Sequence, residues 1–184
     1  IADGPARRQA LEAGDIDGFD LVDPADTQAL ADNGFDVVQR PAFNVAYVGF
    51  NQAIPPMDNP KIRQAIAYAI DREKVATTNY PEGTVVATQF QPPEVCGHSD
   101  TVPTYDYDPA KAKQLIAESG VKNPTLEFWY PSEVSRPYMP DPAANFQLMS
   151  AELEAVGFKV VPKTAPWDPD YLDAVDAGKT MMYL

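Results

Sequence analysis

At five points in this chain an Asp or Asn is followed directly by proline ahead of a stretch with helical periodicity: Asp23-Pro24, Asn59-Pro60, Asp108-Pro109, Asp141-Pro142 and Asp168-Pro169. The pairing has a physical reason. An Asx side chain accepts hydrogen bonds from the unsatisfied N–H groups of a first helical turn. Proline at the next position has no N–H to leave unpaired, and its φ already suits the helix. The device therefore predicts a helix start at each point. Asn33-Gly34, Gly120, Gly157 and Gly178 predict the corresponding stops. Asp71 reads as the cap of a further short helix through Val75 to Thr78, and residues 5–13 as a short helix closed by Gly14.

Short apolar runs separate these helices and read as strands at 18–22, 35–39, 45–50, 126–130, 158–161 and 181–184. The run at 45–50 is long enough for a strand buried on both faces. In the helix after it, Ile62, Ala65, Ile66, Ala69 and Ile70 fall on one face, so the two read as a central strand and its cover. Phe146, Met149, Leu153 and Val156 mark the apolar stripe of the longest helix. Alternation of strands and helices throughout predicts an α/β fold, a mixed β-sheet covered by helices. Residues 79–107 carry Pro81, Gly83, Pro92, Pro93, Gly97 and Pro103 and read as one long loop, either functional or wrapped over the surface.

Composition narrows the classes of function. A chain of 184 residues holds one substantial core or at most two small ones, and 45% hydrophobic residues with 10% aromatics is a globular composition. A formal charge of −13 argues against nucleic acid and against an anionic membrane surface. No apolar run reaches the roughly 18 residues that a membrane-spanning helix needs. No signal peptide is recognisable and Ile1 is not an initiator, so the chain is expected to be a processed or excised piece. Cys96 is the one cysteine. It reads as a small buried residue, or as half of a disulfide whose partner lies outside this chain.

Signatures of catalysis are sparse: there is no P-loop, GxGxxG, HExxH or GxSxG. The single histidine, His98, stands beside Cys96, Ser99 and Asp100. Neighbours on one loop seldom make a nucleophile–base pair, and Cys-Gly-His offers a metal two ligands at most. No metal, cofactor or enzymatic activity is expected. A hydrolase using the loop around His98 is the alternative of another class, and a protein–protein module with a broad exposed apolar face is a third. The favoured candidate is the stretch Ser135-Arg136-Pro137-Tyr138-Met139-Pro140, between a strand end and a helix start, where α/β domains bind ligands. Arg136 presents a planar, permanently charged fork suited to a carboxylate. Tyr138 adds an aromatic face and a hydroxyl, and the prolines would hold both in place. The competing reading pairs Arg136 with one of the 27 acids on the surface.

Several long motifs carry a family resemblance. FNVAYVGFNQAIPPMDNPKIRQAIAYAIDREK, SRPYMPDPAANFQLMSAELEAVGFKV, ARRQALEAGDID, YDYDPAKAKQLIAESG and DYLDAVDAGKTMMYL together cover nearly the whole chain. They resemble bacterial dipeptide- and oligopeptide-binding proteins of ABC importers, solute-binding protein family 5. The resemblance implies that residues 1–184 are a single ligand-binding lobe, the second of a periplasmic-binding-protein type II fold, with the first lobe and the C-terminal crossover absent. It implies that the peptide is enclosed between two lobes, that Arg136 receives its C-terminal carboxylate, and that Tyr138 lies beside it. The implied partners are a dipeptide or short peptide and the membrane subunits of an ABC importer. Any membrane contact would run through that importer or through a lipid anchor outside this chain. The implied location is periplasmic or extracellular, at the bacterial cell surface. Oligopeptide-, nickel-, haem- and sugar-binding relatives share the architecture, so these stand as alternative ligands.

Overall fold

Asn59, Asp108 and Asp141 do what the Asx-Pro pairing predicts. Asn59 Oδ1 accepts from the Lys61 N–H at 3.0 Å, Asp108 Oδ1 from Lys111 at 2.8 Å and Asp141 Oδ1 from Ala144 at 2.9 Å. Asp71 caps in the same way, accepting from the Lys74 N–H at 3.0 Å. The computed structural model of the chain describes Ile1 and residues 4–39 and 43–184. Its helices are α1 (Gly4–Ala13), α2 (Thr27–Asp32), α3 (Pro60–Ala69), α4 (Arg72–Asn79), α5 (Pro109–Ser119), α6 (Pro142–Val156) and α7 (Leu172–Asp176). Its strands are β1 (Gly49–Phe50), β2 (Thr125–Ser132), β3 (Lys159–Pro166) and β4 (Met182–Tyr183). Contacts divide the chain into two units, Ile1–Pro41 and Ala42–Leu184.

The first unit holds α1 and α2. Arg8 donates to Glu12 Oε1 at 2.8 Å and to Asp26 Oδ1 at 2.5 Å, tying α1 to the turn before α2, and Leu30 is buried. The start expected at Asp23-Pro24 is displaced. Asp23 Oδ1 accepts from the Ala25 N–H, a 3₁₀ turn spans Pro24–Asp26, and α2 begins only at Thr27. The strands expected at 18–22 and 35–39 do not form. Leu21 has φ 58°, a left-handed conformation that ends an extended run, and Val38 is 84% exposed.

In the second unit the four strands run in the order β1-β4-β2-β3; β2 is parallel to β3 and to β4, and β1 is antiparallel to β4. The central strand is thus β2, not the run at 45–50. Of that run only Gly49 and Phe50 pair, with Tyr183 and Met182, because β4 is two residues long and offers no further rungs. Gly49 leaves room for the Tyr183 ring, which a Cβ at that position would run into. Ile62, Ala65, Ile66, Ala69 and Ile70 are buried as their spacing predicts. α3 packs beside α5 and α6, and its buried residues share one core with the strands and with Val48 and Phe50. With Met57, Leu115, Leu126, Phe128, Leu153 and Met182 they form the core.

β2 and β3 are longer than their apolar runs suggest. Prolines at 162 and 166 are tolerated because β3 is an edge strand, where a missing N–H costs no ladder bond. The last helix starts where Asp168-Pro169 predicts but without the expected cap. Asp168 is extended (φ −129°, ψ 129°), helical backbone follows it through a wide π-type turn that ends at Tyr171, the α-helical part α7 begins at Leu172, and no side chain caps either.

Candidate functional site

β2 delivers the chain to its carboxyl end, where Glu133 at φ 58° turns it out of the sheet. Two backbone hydrogen bonds then close a tight loop. The Arg136 N–H donates to the Met139 carbonyl at 3.0 Å, and the Met139 N–H to the Arg136 carbonyl at 2.9 Å. Pro137 and Tyr138 lie at the tip, and buried Met139 roots the loop in the core. Arg136 and Tyr138 are therefore displayed on a backbone fixed at both ends.

A buried polar chain holds the tip of this loop. The Tyr80 hydroxyl, at the end of α4, donates to the Tyr138 carbonyl at 3.2 Å. It accepts from Asn145 Nδ2 of α6 at 2.9 Å, and Asn145 Oδ1 accepts from Asn79 Nδ2 at 3.0 Å. Asn145 is wholly buried. Burial pushes the Tyr80 phenol above its ordinary pKa, partly offset by the bond from Asn145, so the hydroxyl keeps its proton and its role as donor.

The other wall is aromatic. The Arg136 guanidinium carbon lies 5.2 Å from the centroid of the Trp167 ring. Trp167 stacks with Tyr171 at 5.8 Å and 19°. Tyr171 is buried and donates to the Leu184 carbonyl at 2.5 Å, while the Leu184 N–H donates to the Trp129 carbonyl of β2. Burial pushes the Tyr171 phenol well above its ordinary pKa, and the nearby tyrosines 183, 47 and 138 add to the shift.

Between the walls lies a shallow depression of about 390 Å³, bounded by Glu133 to Arg136 on one side and Pro166 to Asp168 on the other. It opens at the carboxyl ends of parallel β2 and β3, the usual ligand position in α/β sheets. Arg136 lines it and is exposed; among the described residues no carboxylate lies within ion-pair distance of its guanidinium. Tyr138 is half-buried at the adjacent tip and does not line the depression.

Sequence reasoning named Arg136 and Tyr138 but not Trp167, Tyr171, Tyr80 or Asn145. Asn145 left a signal: it falls on the apolar stripe of α6, one turn before Met149. Trp167 left a weaker one, a large aromatic set between proline and Asp-Pro. The loop around His98 gathers no reactive group. His98 Nδ1 is 2.9 Å from the Gln91 carbonyl, Nε2 is 3.3 Å from exposed Asp100, and Cys96 is exposed, not buried. Among the described residues no hydrogen bond joins Cys96 to His98, and no group of three His, Cys, Asp or Glu side chains could hold a metal.

The sequence matches the family described as bacterial extracellular solute-binding proteins, family 5 Middle, over residues 1–184. It is 33% identical over 97% of its length to a heme-binding protein A of Haemophilus influenzae, and 30% identical over 96% to a dipeptide-binding protein of Escherichia coli. In each case it spans 33% of the relative's length. Among solved structures it is similar to HbpA2 from Haemophilus parasuis (TM-score 0.84, 29% identity, all of this chain and 36% of that one). A second is a dipeptide binding protein from Pseudoalteromonas sp. SM9913 in complex with Met-Leu (TM-score 0.80, 26% identity, all of this chain and 36% of that one). The mixed sheet covered by helices is thus part of a periplasmic-binding-protein type II architecture, and the chain belongs to the bacterial extracellular solute-binding proteins of family 5.

Proposed function

We propose that this chain is the carboxylate-side lobe of an extracytoplasmic peptide-binding protein that serves an ABC importer. In this reading Arg136 takes the ligand's C-terminal carboxylate and Tyr138 lies beside it. The observation that carries the proposal is the exposed Arg136 guanidinium, unpaired with any described carboxylate, at the carboxyl end of the parallel strands. A surface ion pair would have consumed those donors. Glu133 and Asp168 border the same depression, which makes it poor for a plain anion and suitable for a zwitterion. The protein binds and releases its ligand without chemistry, and enclosure between two lobes supplies most of the affinity. Its setting is periplasmic or at the cell surface, with any lipid anchor outside this chain. Among the described residues no helix is long and apolar enough to cross a membrane.

The test is calorimetric titration of the full-length protein carrying this chain with Met-Leu, wild type beside Arg136→Ala. Removing one partner of a buried, hydrogen-bonded charge pair costs about 2–5 kcal/mol. A loss of that size places the carboxylate on Arg136; unchanged affinity returns Arg136 to an ordinary surface role. A second reading rests on the 33% identical heme-binding relative: haem also carries carboxylates. A haemin titration followed by visible absorption, with saturable binding and no heat from Met-Leu, would favour it.

A further inference from the structure

We propose that Trp167 is a positioning residue for the ligand carboxylate: it fixes the Arg136 guanidinium over its ring and thereby sets affinity for a free carboxylate. The inference rests on the reading of Arg136 given above. An exposed arginine samples many rotamers, and ordering it on binding weakens the complex. A ring under the guanidinium removes much of that freedom beforehand. It uses the cation's π face and leaves the in-plane N–H fork free for two parallel bonds to a carboxylate.

Position supports this role. Trp167 follows directly on the last residue of β3, and its ring stacks with buried Tyr171, whose hydroxyl is anchored to the Leu184 carbonyl. Leu184 in turn is bonded to the β2 backbone at Trp129. The platform is thus braced against the sheet that also delivers the Arg136 loop, so both halves of the contact share one frame. The aromatic face also gives Arg136 a resting place other than the carboxylates of Glu133 and Asp168, with which it makes no ion pair.

The experiment is a mutant cycle in the full-length protein, titrated with Met-Leu. Trp167→Leu, which keeps an apolar side chain and loses the π face, is expected to weaken binding about 3- to 30-fold, the range of a partly desolvated cation–π contact. Trp167→Phe, which keeps an aromatic face, is expected to stay within about 3-fold of wild type. In an Arg136→Ala background Trp167→Leu should cause no further loss. Equal losses in both backgrounds would show that Trp167 acts independently of Arg136 and would overturn the proposal. So would full affinity in Trp167→Leu, or a loss in Trp167→Phe as large as in Trp167→Leu. If Arg136→Ala itself binds Met-Leu like wild type, the carboxylate assignment fails, and that failure is distinct from any seen at Trp167 alone.

Discussion

The loop carrying Arg136 is held on two sides by different chemistry. Towards α4 and α6 the anchor is polar and buried, running from Asn79 through Asn145 and Tyr80 to the Tyr138 carbonyl. Towards β3 and β4 it is aromatic, running from Arg136 to Trp167, Tyr171 and the Leu184 carbonyl. The polar side fixes backbone, because hydrogen bonds to a carbonyl specify where the chain goes. The aromatic side fixes a side chain, because a ring face restrains a guanidinium without consuming its donors. On the proposed reading, in which Arg136 presents a charged fork at a set place and leaves it free, both kinds of anchor are needed.

Breaking the polar side should have the larger effect on stability. Asn145→Ala leaves the Asn79 amide and the Tyr80 hydroxyl short of partners in a buried site and opens a void. A loss of about 3 kcal/mol is expected in denaturant unfolding, with faster hydrogen exchange at the Met139 amide. A loss under about 0.5 kcal/mol, as for ordinary surface substitutions, would mean the chain of bonds is not what holds the loop. On the aromatic side, Tyr171→Phe keeps the stack and removes one donor from the Leu184 carbonyl, for an expected loss of about 1.5 kcal/mol.

Tyr171 should also leave a mark on the pH dependence. Its folded pKa is raised above the phenol's ordinary value of 10.0, chiefly by burial. The stabilisation it contributes is therefore complete below about pH 10 and is lost as pH rises through the folded value. Tyr171→Phe should flatten the alkaline fall in stability seen in unfolding curves above pH 10. A residual slope is expected to persist, because the Tyr80 phenol is raised by burial in the same direction. An identical alkaline profile in Tyr171→Phe would show that the buried phenol is not among the groups responsible.

The contrast between the two sides also explains what could be read from the sequence. The polar side stands on α4 and α6, whose starts at Asp71 and Asp141 are local chemistry: a cap and its acceptor lie within three residues. Burial of Ile62, Ile66, Met149 and Leu153 follows from helical spacing alone, and both were legible. The central strand was not. The run at 45–50 looks like a buried strand by composition, but a ladder depends on its partner's length, and β4 supplies two residues. Arg136 was legible as a candidate because its chemistry and its place between strand and helix are both local. Trp167 was not, since its part depends on β2 and β3 lying side by side in parallel, bringing residues 31 apart in sequence within 5.2 Å. Long-range pairing is what a single sequence conceals.

The finest test of the comparison uses two identical dipeptides. Asp141-Pro142 and Asp168-Pro169 promise the same capped helix start, and only the first delivers the cap. The Asp141 carboxylate accepts from the Ala144 N–H, and α6 follows at once. Asp168 makes no capping bond, and three residues separate it from the start of α7 at Leu172, part of a π-type turn from Trp167 to Tyr171 in which Tyr171 is buried. Asp141→Ala should therefore cost about 1 kcal/mol, the usual worth of a helix cap. Asp168→Ala should cost less than about 0.5 kcal/mol, since an exposed carboxylate without a capping role is removed. Equal losses would mean that Asp168 caps a helix after all, and that the turn at Trp167 is the frayed first turn of that helix. Unequal losses, in the stated order, would mark the second Asp-Pro as a place where the regular device is given up so that an aromatic platform can stand beside Arg136.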